Sequence, residues 1–193
     1  PTITPDEITE EMLSKYQCIY IEGYLLVNEP LVRSTMEKAK KLGLKVALDL
    51  SNFNIVNAFK GMLEDIIPKY VDILFSNESE AEAFTGQKAA EAVHTLSELV
   101  EVSLVTLGKE GALIGSHGQF YSVPAEGGKP VDTTGAGDNF AAGFLYGQSI
   151  GASLVQSARI GSMLAGYVID VVGPEIPYDK WEQIKLKVKG ILA

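Results

Sequence analysis

The sequence predicts an α/β fold with a doubly wound, mainly parallel sheet and helices on both faces. Short apolar segments alternate with longer amphipathic segments as far as residue 106, and this alternation is typical of right-handed βαβ units. Polar clusters at 49–54, 76–80 and 106–111 each follow a predicted strand directly. Ligands of such sheets bind beyond the carboxyl ends of the strands, so these clusters are expected to form a binding edge.

The first half of the chain supplies the predicted βαβ units. Helix starts and stops are marked by signals such as Asp6 and Glu7 in a first turn and Gly43 at an end. The predicted strands are 18–21, 46–50, 71–75 and 102–106, and the predicted helices are 5–16, 28–43, 53–68, a short one ending at 85–86, and 89–99.

After Gly108 the pattern changes. A hairpin is predicted from strands 111–115 and 119–123 around the turn 116–118. Two long apolar helices are predicted at 135–149 and 152–172, and a last helix is predicted from Asp179. No internal repeat or linker interrupts the pattern, so residues 1–193 are predicted to form a single α/β domain.

Composition bounds the classes of function. The chain is 46% hydrophobic and has a net charge of −9 without a basic run, which argues against nucleic acid or an anionic membrane as partner. No segment has the length of a membrane span. One cysteine, Cys18, excludes an internal disulfide and suits a reducing, cytoplasmic location. The expected partner is therefore a small molecule, and the sequence does not define an oligomeric state.

The segment 132–138, Asp-Thr-Thr-Gly-Ala-Gly-Asp, carries the main chemical prediction. It runs directly into an apolar helix, and a helix start offers unpaired N–H donors and a positive dipole end. Gly135, Ala136 and Gly137 have almost no side chain, so a phosphate could approach their backbone. A carboxylate here, Asp138, could accept the proton of a hydroxyl group that attacks phosphorus. A plain glycine-rich turn before a helix, with Asp as a favourable first-turn residue, is the structural alternative.

The longer string resembles the C-terminal signature of the ribokinase-like (PfkB) family of sugar and nucleoside kinases. Phe140 and Phe144 follow it one turn apart and are part of the resemblance. The resemblance implies that Asp138 is the catalytic base and that Gly135, Ala136 and Gly137 form an anion hole for the transferred phosphoryl group. It also implies ATP and Mg²⁺ as cofactors.

Asn77 and Glu80 follow the third strand and lie three residues apart, so they face the same way in a helical turn. They could hold a hard cation such as Mg²⁺ through its water molecules, or they could simply cap a helix. The segment 70–84 resembles the family's N-x-x-E segment and is most similar to the adenosine kinase branch. That resemblance implies a magnesium role for both residues.

The predicted fourth strand ends at Thr106, and the segment 104–111 continues with Gly108 and Gly111. The glycines allow a ligand to approach the backbone, although a turn into the hairpin explains them equally well. The segment resembles the family's T-L-G-x-x-G, which implies that Thr106 and Gly108 lie along the phosphates and ribose of ATP.

Further candidates carry less specific signals. Asp132 either caps the turn or, by resemblance, takes part in a monovalent cation (K⁺) site. Ser162 stands where the family often has a His or Asn beside adenine, which leaves the adenine contacts open. Asp49 either orients phosphate or substrate groups or is a buried acid paired with a backbone donor.

The predicted function is an ATP-dependent kinase that phosphorylates a hydroxymethyl group of a nucleoside or sugar, adenosine kinase-like. The alternatives are a ribokinase- or fructokinase-type sugar kinase and a non-catalytic nucleotide- or sugar-binding regulator. The resemblance covers about residues 19–177. The given chain does not include the family's N-terminal strands, most of its sugar-recognition residues or its β lid. The chain begins at Pro1 and is expected to be the nucleotide-binding and catalytic portion of a larger kinase domain, which leaves its activity in isolation open.

Overall fold

The structure, a computed structural model, describes residues 3–127 and 130–193. Within these ranges it contains six β-strands and nine α-helices. The strands are β1 (Cys18–Glu22), β2 (Lys45–Asp49), β3 (Ile73–Asn77), β4 (Val102–Thr106), β5 (Ala112–Ser116) and β6 (Gln119–Val123). The helices are α1 (Glu10–Leu13), α2 (Glu29–Lys41), α3 (Phe53–Ala58), α4 (Lys60–Tyr70), α5 (Glu78–Thr85), α6 (Ala89–Ser97), α7 (Ala136–Ser149), α8 (Leu154–Val168) and α9 (Trp181–Leu192).

The described strands form one mixed sheet in the order β1-β2-β3-β4-β5-β6. β1 pairs with β2 in parallel, and β2 pairs with β3 in parallel. β5 and β6 are joined by His117 and Gly118, both at positive φ (48° and 74°), which suits a tight two-residue hairpin turn. Helices cover both sides of the sheet, and the predicted α/β class is confirmed.

The chain divides into two compact units, the first made of residues up to 105 with 115–120 and the second of 106–114 with 121–193. The core of the first unit is built mainly from apolar side chains of the strands. Leu48, Leu74 and Leu104 are fully buried there, as is Met36 of α2. Burial of such side chains on both faces is expected for the central strands of a parallel sheet.

In the described part of the chain, none of the helices has the length and apolar character needed to cross a bilayer.

The second unit is organised by the close packing of α7 on α8. A Cβ atom added to Gly143 would lie 2.7 Å from the Cα of Gly161, and one added to Gly161 would lie 2.5 Å from the carbonyl oxygen of Phe140. The two helices can therefore approach this closely only where both carry glycine. The other side of α8 packs against α9 through a cluster of Ile160, Met163, Leu164, Ile184 and Ile191.

Several element boundaries differ from the predicted ones for local reasons. The predicted helix 5–16 is helical only at Glu10–Leu13, and the predicted helix 53–68 is divided at Phe59 into α3 and α4. β3 begins two residues later than predicted. The preceding Asp72 is buried, accepts the Val46 N–H at 2.7 Å and binds Lys40 Nζ at 2.7 Å. Its side chain thus replaces a regular ladder contact at the start of the strand.

Candidate functional site

The second unit contains a cavity of about 470 Å³ that is lined by four segments of the chain. It brings together most of the residues that the sequence assigned to nucleotide binding. The lining includes Thr106, Gly108, Lys109 and Gly111 after β4, the loop Ala125, Glu126 and Gly127 after β6, Ala136, Gly137 and Phe140 of α7, and Ser162, Ala165, Gly166 and Ile169 at α8. Its volume lies in the range typical of small-ligand sites.

The start of α7 presents backbone donors beside this cavity. The Ala136 N–H donates to the Thr133 carbonyl at 3.2 Å, and the first bond of the helix runs from the Asn139 N–H to the Gly135 carbonyl at 2.9 Å. Between them, the N–H groups of Gly137 and Asp138 have no acceptor among the described residues. A Cβ added to Gly137 would meet no atom within 4 Å. The helix start therefore keeps two donors and open space for an anion.

Gly135 is required by the fold as well as by any ligand. It has a φ of 77°, in the left-handed region, and a Cβ atom would lie 2.7 Å from Cβ of Pro174. Asn139 Nδ2 donates to the carbonyls of both Gly135 and Pro174, at 2.9 and 3.3 Å. This packing holds the turn that precedes α7 against the segment that follows α8.

Asp138 lies in the first turn of α7 and is exposed. Its side chain forms no hydrogen bond or ion pair with the described residues, and it is not part of the cavity lining. An acid in a first helical turn is favoured by the helix dipole. Asp138 is therefore accessible to a ligand that approaches the start of α7.

Asp132 anchors the turn before α7. One of its oxygens accepts the Gly173 N–H at 2.9 Å, and the other accepts the Thr134 N–H at 2.9 Å and the Thr134 hydroxyl at 2.7 Å. These hydrogen bonds, from Gly173 first and then from Thr134, hold the pKa of Asp132 below its usual range. The capping role that the sequence left open is thus present in the structure, while a cation role stays a prediction.

The turn after β4 contributes its glycines to the cavity wall. Gly108 has a φ of 55° and open space around its Cβ position. Gly111 has a φ of 97°, and a Cβ atom would lie 1.9 Å from the Val123 carbonyl oxygen. The fold therefore needs glycine at position 111. Gly111 also lines the cavity, so the turn interpretation and the binding interpretation are compatible.

Ser162 lines the cavity, but its hydroxyl group is engaged with the loop after β6. It donates to the Pro124 carbonyl at 2.8 Å and accepts the Glu126 N–H at 3.0 Å. One turn later, a Cβ atom on Gly166 would lie 1.8 Å from the Glu126 carbonyl oxygen. The loop 124–127 is thus seated closely on α8.

Sequence reasoning missed this loop and the two small residues of α8 that face the same cavity, Ala165 and Gly166. Gly166 stands four residues after Ser162 and so shares its helix face, which is the signal that could have identified it. The loop itself has no motif. Its place in the cavity follows from the contacts with α8, which are remote in sequence.

Asn77 and Glu80 lie in the first unit and form a capping box at the start of α5. The Asn77 N–H and Nδ2 donate to the two Glu80 carboxylate oxygens at 2.8 and 2.7 Å, and the Glu80 N–H donates to Asn77 Oδ1 at 3.0 Å. The capping role that the sequence left as an alternative is present. Each carboxylate oxygen retains a second lone pair, so the pair can still accept hydrogen bonds from a water molecule.

Glu80 is only 4% exposed. Burial raises its pKa to about 7; the Asn77 N–H opposes this increase, and the negative charge of Asp49 adds to it. Asp49 itself accepts the Ser51 N–H at 2.6 Å and the Tyr20 hydroxyl at 3.2 Å. The buried Glu80 therefore holds its proton more tightly than an exposed glutamate does, and a nearby cation would favour its ionised form.

This pKa predicts a pH dependence of stability. Because the folded-state pKa of Glu80 lies above the ordinary glutamate value of 4.5, the folded protein binds the proton more tightly than the unfolded chain does. The resulting stabilisation is present in full below pH 4.5 and is lost as the pH rises through about 7. We expect Glu80→Gln to remove about 2 kcal/mol of the decrease in unfolding free energy between pH 5 and 8. Denaturant titrations at several pH values measure this slope.

The matched control for that variant is Glu78→Gln, since Glu78 lies in the same first turn but is exposed. It should leave the pH dependence of the unfolding free energy as in the wild type. An unchanged slope in Glu80→Gln would show that Glu80 titrates normally in the folded protein.

Among the described residues, no group of three or more His, Cys, Asp or Glu side chains is placed to coordinate a metal ion directly. A hard cation such as Mg²⁺ often keeps several waters and is shared with substrate phosphates. The Asn77–Glu80 pair fits that second mode, through water, better than a protein-only metal site.

Comparison with known proteins places these features in a family. The family model described as pfkB family carbohydrate kinase matches residues 2–181. The chain is 31% identical over 194 residues to an adenosine kinase of Saccharomyces cerevisiae, and the match covers 92% of this chain and 57% of that protein.

Solved structures agree with that match. A probable sugar kinase from Rhizobium etli superposes with a TM-score of 0.90 at 30% identity, covering 98% of this chain and 58% of the other. An adenosine kinase from Sinorhizobium meliloti superposes with a TM-score of 0.89 at 29% identity, covering 96% and 58%. The chain thus spans a little more than half the length of these relatives. On the match of sequence and fold together, the chain belongs to the pfkB family of carbohydrate kinases.

Proposed function

We propose that this protein is an ATP-dependent kinase that phosphorylates a hydroxymethyl group of a nucleoside or sugar, with an adenosine-like nucleoside as the first candidate acceptor. The observation that carries the proposal is the pair of N–H donors of Gly137 and Asp138, which have no acceptor among the described residues. Gly137 also lines the 470 Å³ cavity. Relatives described as adenosine kinases and as a probable sugar kinase support the same chemistry.

In this proposal the cavity of the second unit holds ATP. The phosphates and ribose lie beside Thr106, Gly108 and Gly111. The adenine base lies beside the loop 125–127 and Ser162. The start of α7 stabilises negative charge on the transferred phosphoryl group, since preorganised N–H donors act most strongly where charge develops. Lys109, which also lines the cavity, adds a positive charge.

Asp138 acts as the general base. It accepts the proton of the acceptor hydroxyl as the oxygen attacks the γ-phosphorus, and the bond from that phosphorus to the β,γ-bridging oxygen breaks to release ADP. Its exposure and lack of described partners leave its carboxylate oxygens available for that proton.

Asn77 and Glu80 are proposed to hold Mg²⁺ through its water molecules, and the ion would neutralise negative charge on the phosphates. Asp132 is proposed to contribute to a monovalent cation site, where K⁺ would support the turn before α7. The two Asp132 oxygens already accept three hydrogen bonds, so this contribution would use their remaining lone pairs.

The anion hole can be tested with Gly137→Ala. Because a Cβ atom at Gly137 meets no neighbour within 4 Å and alanine has the higher helix propensity, the variant should not lose unfolding free energy. The methyl group would occupy the space in front of the two N–H donors and should lower kcat/KM by about 10²-fold, the size expected when one such donor is lost. Steady-state kinetics and a denaturant titration measure both quantities.

Gly61→Ala is the matched control, because Gly61 is also the second residue of a helix and also has no neighbour within 4 Å of its Cβ position. It should change neither kcat/KM nor stability by much. Equal activity in Gly137→Ala and Gly61→Ala would argue against phosphate binding at the start of α7.

The proposed activity itself is tested by ADP release from ATP and Mg²⁺ with a panel of nucleosides and sugars, using the intact protein. Release that depends on a nucleoside supports the adenosine kinase-like assignment, and release that depends only on a sugar assigns the acceptor to a ribokinase- or fructokinase-type sugar. Binding of nucleotide and acceptor without ADP release would instead identify a non-catalytic regulator.

A further inference from the structure

The hydroxyl group of Ser162 binds the loop that follows β6, so it is not available to donate a hydrogen bond to the adenine of a nucleotide. Its hydroxyl hydrogen is donated to the Pro124 carbonyl at 2.8 Å, and one of its lone pairs accepts the Glu126 N–H at 3.0 Å. A serine hydroxyl has one hydrogen and two lone pairs. Ser162 therefore has no donor left for a ligand, although it lines the cavity and is only 6% exposed.

Two glycines complete the contact between the loop and α8. A Cβ atom on Gly166 would lie 1.8 Å from the Glu126 carbonyl oxygen, and one on Gly127 would lie 2.8 Å from Cα of Gly166. Gly127 also has a φ of 104°. The hydroxyl of Ser162 holds the loop at one point, and direct backbone contact holds it one turn later. An ion pair between Arg159 of α8 and Glu126, at 3.7 Å, adds to these contacts, so the position of the loop depends on α8.

We infer that Ser162 is a positioning residue for the nucleotide: it holds the loop 124–127 in the shape that forms one wall of the cavity, and it acts on the bound base through that loop. This inference rests on the proposed function, because it assigns the cavity to a nucleotide. Ala125, Glu126 and Gly127 all line the cavity, so a shift of the loop changes the wall that a ligand meets. A preformed wall spares the ligand the cost of ordering the loop on binding.

The consequence is a specific division of kinetic effects. Ser162→Ala leaves the Glu126 N–H and the Pro124 carbonyl without their partner, so the loop loses its preferred position. The KM for ATP should rise about tenfold, which corresponds to the loss of about one hydrogen bond. Because the hydroxyl of Ser162 bonds to Pro124 and Glu126 and not to Asp138, kcat at saturating ATP should stay within about twofold.

The test combines kinetics of the intact protein with hydrogen exchange of the Glu126 amide, which reports the clamp without any need for activity. In Ser162→Ala the Glu126 amide should exchange faster and the KM for ATP should rise, whereas Ser162→Thr, which keeps the hydroxyl, should restore both. Gly166→Ala should raise the KM in the same way while Ser162 is intact, because its methyl group would displace the Glu126 carbonyl.

The matched control is Ser157→Ala. Ser157 is a fully buried serine on the same helix, but its hydroxyl accepts from Gln148 Nε2 at 2.8 Å on the side of α7. Its loss should lower thermal stability without changing Glu126 exchange or the KM for ATP.

The inference is overturned if Ser162→Ala keeps its ATP affinity, or if it loses that affinity while Glu126 exchange stays slow, since the second result would indicate a direct contact with the base. Failure of the proposed function looks different. A wild-type protein that binds no ATP in calorimetry, yet shows faster Glu126 exchange in Ser162→Ala, has the clamp but not the nucleotide site.

Discussion

Asp138→Asn should abolish phosphoryl transfer almost completely while ATP binding persists. General-base catalysis typically contributes about 10²–10⁴-fold to a rate, so kcat should fall by about three orders of magnitude. Removing a negative charge beside bound phosphates should leave the Kd for ATP unchanged or lower it. The two quantities are measured by ADP release and by calorimetry of ATP binding to the intact protein.

Asp179→Asn is a suitable control for this variant. Asp179 is another exposed acid near the start of a helix, in the turn 178–180 before α9, and its loss should leave kcat unchanged. Near-normal turnover in Asp138→Asn would falsify the assignment of Asp138 as the base. Loss of ATP binding together with kcat would instead point to a role of Asp138 in binding.

Gly161→Ala should destabilise the second unit strongly. The added methyl group would lie 2.5 Å from the Phe140 carbonyl oxygen, closer than any stable contact, so α7 and α8 would have to separate. Overpacking of a well-packed core typically costs about 1–3 kcal/mol, and we expect about 3 kcal/mol here because the blocking atom belongs to the backbone. Chemical denaturation measures this loss of unfolding free energy.

The control for the helix-packing variant is Gly190→Ala in α9, where the added Cβ atom meets nothing within 4 Å. Alanine has the higher helix propensity by about 1 kcal/mol, so this variant should be slightly more stable than the wild type. If Gly161→Ala behaved like Gly190→Ala, the close approach of α7 and α8 would be incorrect.

The fold class could be predicted because each strand and helix in the first half carries its own local signal. The strand β2 is largely apolar and ends in Asp49. The helix α2 is capped by Asn28, whose side chain accepts the Leu31 N–H at 3.3 Å. Such caps and periodicities are local, so they can be recognised from a short segment without the rest of the chain.

Boundaries set by remote partners could not be predicted. The helix α8 was expected to continue to residue 172 but ends at Val168. The carbonyl of the next residue, Ile169, accepts the Val131 N–H at 2.7 Å and the Asp132 N–H at 3.3 Å. Apolar periodicity continues past that point, and only the contact with residues 131–132, which are nearly forty positions earlier, explains the end.

The site was predictable where a motif reports backbone shape. The small residues at 135–137 predicted a backbone that a ligand can approach, and Gly137 has open space at its Cβ position, whereas the positive φ of Gly135 was not predicted. The role of Ser162 was not predictable, because a serine in a helix can contact a ligand, cap a neighbour or hold a loop, and only the distances to Pro124 and Glu126 distinguish these. Asn77 and Glu80 show the same limit, since their spacing suits both a cap and a water-mediated cation.

The most direct test of the central claim is a crystal structure of the intact protein with Mg²⁺ and a non-hydrolysable ATP analogue. We predict that a γ-phosphate oxygen lies within hydrogen-bond distance, about 3 Å, of the N–H groups of Gly137 and Asp138, with the base against residues 125–127. An analogue bound outside this cavity, or one whose phosphates lie away from the start of α7, would contradict the account.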